Sequence, residues 1–407
     1  MEDQVSKPLD GIRVVDWTIW QQGPYSTAML ADYGAEVIKI EEAKNGDPGR
    51  GITAVGGTGV RPGRNFYFES NNRHKKSVAL NLKHPEAHQI VCRLVQNGDV
   101  FVQNFRKGVA GRLGLDYETL RRYNPRLIYA NATGYGPLGP DADQPSFDGL
   151  GQARSGFLYS ANLPGSEPIN IGGGVADQMG GIMLAFGIVM ALLARERFGI
   201  GQEVDASHLG SMMALQGMFI SSRGIIGKEI GKSGRETMYN PIFNHYKCAD
   251  DKWISLGMLQ SDRYWKDFCR TMGLDAIAED PRFVDMAARG RNCRECIKIL
   301  DAAFLARPRD HWLKVLREGG DFIFTVVNTI SDLENDPQVI ANEYIVDYEH
   351  PSQGSMKLMG LPVKLSATPG QARGRAPEHG EHTEMVLNEL LGYGWEDIDR
   401  LRREGVI

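Results

Sequence analysis

Ile12-Arg-Val-Val-Asp-Trp17, Gln21-Gln-Gly-Pro24 and Glu36-Val-Ile-Lys-Ile-Glu41 together set the architecture of this chain. The first is short and apolar, as a buried strand is. The second is a turn that opens a helix; Tyr25 to Tyr33 continue it and Gly34 stops it. The third alternates polar and apolar residues, the period of a strand. Strand, helix and strand in such close succession begin a parallel sheet covered by helices. The rhythm persists further on. Ser77 to Leu82, Asp99 to Gln103 and Leu127 to Ala132 read as strands, and Pro85 to Gln96 as a helix with proline in its first turn. Tyr117 to Tyr123 is a helical segment, and Gly, Pro and Arg make Ala43 to Asn65 a loop.

The longest helix pattern runs from Gln178 to Phe198 and is closed by Gly199; Gln202 to Ala206 returns as a strand. A chain of 407 residues exceeds what one core usually fills. The composition shifts near residue 225, where aromatics gather among shorter elements. The expected organisation is a large α/β domain over 1–215, a small domain over 225–325, and a segment 335–407 that returns to the large domain. In that last segment we expect a strand pair near Asp347 and Leu361 and a final helix from His382 to Leu391.

Several function classes are disfavoured. A formal charge of -5 and the lack of any zinc-finger or helix-turn-helix pattern argue against a nucleic-acid partner. Met1 to Leu9 is polar and unlike a signal peptide. The most apolar run, Gly181 to Ala194, reads as a buried core helix shorter than a bilayer span, so no membrane association is expected. Five cysteines, an odd number, suit a reducing compartment and a cytoplasmic location. The Gly-x-Gly-x-x-Gly fingerprint is missing after the first strand, which argues against NAD. Cys293 and Cys296 fall in a helical pattern with no second pair, and His379 and His382 flank a helix start; no metal is expected.

Asp177, in Gly172-Gly-Gly-Val-Ala-Asp177-Gln-Met-Gly-Gly181, has two readings. As a helix N-cap its carboxylate would accept from the first-turn N–H groups. As a nucleophile it would attack an activated acyl group without a general base, since an aspartate is ionised at neutral pH. Two basic clusters stand out, Arg73-His-Lys-Lys76 with Lys83, and Arg106, Lys107 and Arg112. Both are expected near strand C-termini, where ligands bind in open α/β sheets. Each alone is ordinarily a solvated face; together they suit a ligand with several phosphates.

The order of these segments resembles the family III CoA-transferases, the group of formyl-CoA transferase and crotonobetaine/carnitine CoA-transferase, with α-methylacyl-CoA racemase as a relative. The matching stretches include Pro8 to Asp16, Gly34 to Glu41, Lys75 to Lys83, Asn104-Phe105, Gly134-Tyr-Gly136, Ala176-Asp177, Gly199-Ile-Gly-Gln202 and Gly380-Glu-His-Thr383. The resemblance implies an enzyme that moves CoA between an acyl-CoA donor and a carboxylic acid acceptor through a mixed anhydride on Asp177. It implies CoA contacts from Gln21, Gln22, Leu80, Asn81, Leu82, Lys83, Asn104, Phe105, Arg106 and Arg112. It also implies a Rossmann-like parallel-sheet domain formed from both termini, a smaller α+β domain, and an interlocked dimer, either of one chain or with a related chain. Two departures bear on substrate. Gly227 to Asn240 has no polyglycine run, which argues against oxalate or formate, and Glu42 stands where the family has an arginine. The alternative is racemase chemistry. There, Phe147 in Ser146-Phe-Asp148 replaces the histidine that such chemistry needs. Trp17, Trp20, Met212 and Met213 suggest an aromatic or bulky carboxylic acid acceptor, an arylsuccinate-type dicarboxylic acid being one example.

Overall fold

In the computed structural model, residues 6–61 and 65–407 are described. Part of the polar N-terminal stretch, part of the 1–215 domain and a piece of the Ala43 to Asn65 loop therefore lie outside the described residues. The chain divides into two units. The first comprises Met1–Ala161, Pro168–Lys228 and Ile340–Ile407; the second comprises Asn162–Glu167 and Glu229–Val339.

The first unit is built on six parallel strands: β1 (Arg13–Trp17), β2 (Glu36–Glu42), β3 (Lys76–Leu80), β4 (Val100–Gln103), β5 (Ile128–Thr133) and β6 (Gln202–Ser207). Their order is β3-β2-β1-β4-β5-β6. This is the doubly wound arrangement, with its switch point between β1 and β4. Alternation in β1 shows how the sequence builds two layers. Val15 and Trp17 face one side, with Ile38, Ile40, Val78 and the helix Pro85–Gln96, which contributes Ile90, Val91 and Leu94. Val14 faces the other side, with Val37, Val100, Val102 and Ile128. On the first face Val386, Leu387, Ile398 and Leu401 from the end of the chain complete the core.

The second face is covered by Gln22–Asp32 and by the longest helix, Val175–Phe198. At 24 residues the latter is about 36 Å long, which corrects the expectation of a helix too short to span a bilayer. By length and composition alone it could cross one. Leu184, Ala185, Ile188 and Leu192 pack on the sheet, whereas Phe186, Met190 and Leu193 are exposed, so it is buried along one face rather than throughout.

The remaining departures are local. The expected loop contains a 3-10 turn, Pro48–Gly51, and a two-stranded hairpin of Ala54–Val55 with Thr58–Gly59. The late strand pair is Ile345–His350 with Gly354–Met359, so Leu361 lies beyond it. The expected last helix is a short helical turn, Thr383–Met385, followed by a π-helical stretch, Val386–Leu390. A further helix, Trp395–Arg403, follows it; its Ile398 and Leu401 are the buried positions. In the second unit a three-stranded antiparallel sheet (His245–Lys247, Trp253–Leu256, Phe324–Val327) packs against helices Ser261–Thr271, Cys293–Leu305 and Arg309–Gly319. Its core is aromatic: Tyr246, Trp265, Phe268, Phe283, Phe304 and Trp312.

Candidate active site

The carboxyl ends of β4, β5 and β6 and the loop after β1 enclose a cavity of about 760 Å³. Asp177 lines it. Helix Val175–Phe198 has its N-cap at Gly174, whose φ of 69° suits a residue without a Cβ. Asp177 is therefore the third helical residue, not the cap. The capping is done from outside: Asp148 Oδ1 accepts from the N–H of Ala176 at 2.7 Å and of Asp177 at 3.2 Å. Gln152 Nε2 in turn donates to Asp148 Oδ2 at 2.6 Å. Relieved of that duty, the Asp177 carboxylate meets His208 Nε2 at 2.9 Å. His208 Nδ1 lies 3.2 Å from Ser146 Oγ.

Two helix starts adjoin at this point. A Cβ on Gly180 would lie 2.6 Å from Gln22 Nε2, and one on Gly181 would lie 2.9 Å from the Gln22 carbonyl oxygen. Gly180 and Gly181 thus allow the start of Gln22–Asp32 to lie against the helix that carries Asp177. Gln22 Nε2 then donates to Ala206 O at 3.1 Å, tying this helix to the end of β6.

The loop between β1 and that helix is held from both sides. Asn104 Nδ2 donates to Ile19 O at 2.7 Å, and its Oδ1 accepts from Ile19 N at 2.9 Å. Lys39 Nζ, fully buried, donates to Thr18 O and Asp47 Oδ2, both at 2.8 Å. Burial works against the Lys39 ammonium, but Asp47, Asp16 and Glu41 outweigh it and raise its pKa. Asp47 Oδ1 accepts from Trp20 N at 3.1 Å, and Trp20 has a φ of 66°, a left-handed conformation uncommon for a bulky residue.

The expected site residues separate into two groups. Gln22, Asn104, Phe105, Arg106 and Asp177 line one cavity. Gln21 does not line it but packs on Gly174, at the start of the Asp177 helix. Leu80 is fully buried in the core; Asn81 hydrogen-bonds Gly405 and Val406; Leu82 packs beside that core. Leu80 to Lys83 and Arg112 do not line the cavity.

The first basic cluster requires correction. Arg73 to Lys75 precede β3 and Lys76 opens it, so the cluster is at the strand's amino end. Arg73 pairs with Asp32 at 2.8 Å, Lys75 with Asp16 at 2.9 Å and Lys76 with Glu36 at 2.6 Å. Arg73 and Lys75 are buried cations neutralised by aspartates, a structural use of charge. Of the acceptor candidates, Trp20 lines the cavity; Trp17 is buried and stacks on Phe105 at 4.2 Å, and Met212 is buried. Neither Met212 nor Met213 lines the cavity.

Sequence reading missed His208, Asp205, Glu203 and Tyr67, which all line the cavity. A signal for His208 was present: it directly follows a strand, at the carboxyl end where ligands bind in such sheets. Burial pushes Asp205 up to about 6; the Thr133 hydroxyl opposes that shift and Glu203 adds to it. Burial, with Asp177 and Asp47 nearby, also raises the Tyr67 pKa, so its phenol stays protonated. Among the described residues no group of three or more His, Cys, Asp or Glu side chains could hold a metal ion.

Fold and site together define a doubly wound α/β protein with a helix-borne carboxylate in the cavity beside its switch point. Residues 9–383 match CoA-transferase family III, and the chain belongs to that family. It is 31% identical to the succinyl-CoA–D-citramalate CoA-transferase of Chloroflexus aurantiacus, covering 98% of both chains. It is 32% identical to the (R)-2-hydroxy-4-methylpentanoate CoA-transferase of Clostridioides difficile, covering 98% of this chain and 99% of that one. A solved CAIB/BAIF family protein from Brucella suis is similar over 95% of this chain and 100% of its own, with 29% identity and a TM-score of 0.83. The protein is a CoA-transferase.

Proposed function

We propose that this enzyme transfers CoA from an acyl-CoA to a carboxylic acid through a mixed anhydride on Asp177. An Asp177 oxygen attacks the thioester carbonyl; the C–S bond breaks and CoA leaves as a thiolate. The acceptor carboxylate attacks the aspartyl carbonyl and expels the donor acid as its carboxylate. The thiolate then attacks the new acyl carbonyl, giving the product thioester and restoring Asp177. Each step exchanges one activated acyl for another, so no ATP is consumed. The observation that carries this reading is that Asp148 caps the helix. The Asp177 carboxylate is thereby left for chemistry in the cavity.

The N–H groups of Gln22 and Gly23, at the start of Gln22–Asp32, have no acceptor within their own helix, and they suit the oxyanion of the first step. Arg106 and Lys107, at the cavity wall, suit CoA phosphates. Gln21, Leu80 to Lys83 and Arg112 remain proposed CoA contacts from the family resemblance alone. Trp20, Phe147 and Tyr67 give the cavity an aromatic wall, with Trp20 and Phe147 edge to face at 6.3 Å. Glu203 and Asp205 would repel the second carboxylate of a diacid. An aromatic or apolar monocarboxylic acceptor therefore fits better than a dicarboxylic one. Racemase chemistry fits less well. His208 and Asp177 share a hydrogen bond and so cannot flank opposite faces of one α-carbon, and Phe147 carries no transferable proton. A cytoplasmic, interlocked dimer, with itself or with a related chain, completes the proposal.

Hydroxylamine added to enzyme and acyl-CoA should leave a hydroxamate on Asp177, read by peptide mass spectrometry. Asp177→Ala should keep its fold and lose turnover by several orders of magnitude. Normal acyl exchange by that variant would refute the mechanism.

A further inference from the structure

His208 is the first residue of helix His208–Leu215, and Ser207 caps that helix by accepting from Gly210 N at 2.9 Å. The imidazole is buried, and a Cβ on Gly151 would come within 2.6 Å of His208 Cβ. The ring is thus fixed by packing at the helix start as well as by Ser146 on its Nδ1 side. A carboxylate only accepts hydrogen bonds, so the ring nitrogen facing Asp177 carries the proton. The Ser146 hydroxyl can donate to Nδ1 when the imidazole is neutral.

We propose that His208 is a second catalytic residue: the oxyanion donor for acyl exchange at the aspartyl carbonyl. This rests on the reading of Asp177 as the acylated nucleophile. With Oδ1 held by His208, Oδ2 is the oxygen that bridges to the acyl group. Oδ1 then becomes the carbonyl oxygen of the aspartyl half of the anhydride. When the acceptor carboxylate adds to Cγ, the negative charge develops on Oδ1. The observed 2.9 Å from Nε2 is the separation that oxyanion stabilisation requires, about 2.7–3.1 Å. Collapse expels the donor acid with the electron pair of the C–Oδ2 bond, and the acceptor oxygen becomes the new bridge. In the first step, by contrast, charge develops on the thioester oxygen, and a donor on Oδ1 only tempers the nucleophile. His208 therefore acts selectively on exchange and directs the acceptor to Cγ.

The test uses the full chain with succinyl-CoA, butyryl-CoA and cinnamoyl-CoA, each with its own 18O-labelled acid, in rapid-quench single turnovers. Two rates are followed: formation of the Asp177 adduct, trapped with hydroxylamine only after the quench has unfolded the enzyme, and acid-dependent appearance of label in the acyl-CoA. His208→Leu should slow the second by about 100-fold while the first changes far less. His208→Gln, which returns an N–H close to Nε2, should recover most of that loss. In the wild-type enzyme, attack at Cγ should leave one 18O in Asp177. Equal slowing of both rates in His208→Leu would reduce His208 to a positioning residue and overturn the proposal. So would wild-type exchange by His208→Leu, or an unlabelled Asp177 after wild-type turnover. Absence of any adduct on wild-type Asp177 with all three donors would instead sink the nucleophile reading on which the proposal rests.

Discussion

Replacing Gly181 by alanine sets two effects of opposite sign against each other. In a helix interior the change should gain about 1 kcal/mol from propensity. At this position, however, the new methyl would stand 2.9 Å from the Gln22 carbonyl oxygen and 2.9 Å from Tyr25 Cδ1. Comfortable separations are about 3.5 Å, so the two helices must part by roughly half an ångström. The Gln22 oxygen is backbone in a helical first turn and has no rotamer by which to escape. Overpacking of this kind costs about 1–3 kcal/mol, which outweighs the propensity gain at most values in that range. The catalytic effect should be larger than the thermal one, because the same two helix starts set Asp177 against the proposed oxyanion donors. A misplacement of about 1 Å can cost 100-fold, so half that displacement should lower single-turnover acylation about tenfold. Calorimetry and rapid-quench acylation measure the two quantities. Gly224→Ala serves as the control: it lies in helix Gly217–Ile226 with nothing within 4 Å of its Cβ position, and it should gain stability. If Gly181→Ala were stabilised as much as this control and kept full acylation, the close approach would have no role.

Two further substitutions probe the supports of the site. Asp148→Ala removes the outside cap of the Asp177 helix and should cost about 1–2 kcal/mol in urea unfolding, with reduced acylation; Asp148→Asn should recover part of both. Glu41 is buried against Arg50 and accepts from Ser77 Oγ at 2.6 Å. Burial would raise its pKa, but Arg50, Lys39 and Ser77 together lower it to about 2 from 4.5. Because the folded value is depressed, its stabilisation is complete above pH 4.5 and is lost as pH falls toward 2. The shift corresponds to something on the order of 3 kcal/mol. Glu41→Gln should therefore unfold at lower urea than the wild type at pH 7, and its midpoint should fall less between pH 5 and pH 3. Parallel pH profiles would refute that assignment.

The paired supports explain what a reader of the sequence could and could not see. Asp177 was visible because a carboxylate beside glycines at the start of a long apolar helix has few uses. The competing cap reading could not be dismissed locally, since Asp148, which supplies the cap, is 29 residues away in sequence. Arg73 and Lys75 looked like phosphate ligands because sequence shows a cation but not its partner; Asp32 and Asp16 lie on other elements.

Local patterning along the chain suffices for the strand and helix periods, the parallel sheet and the residue that carries the proposed chemistry. These follow from local patterning, in which side-chain spacing must match backbone geometry. Tertiary structure alone decided which charges are spent on one another and which face the cavity. It also decided that His208, from the end of β6, meets Asp177 at 2.9 Å. Such pairings depend on where the sheet's crossovers bring distant residues together, and a carboxylate's role is set by its nearest donor rather than by its neighbours in the chain.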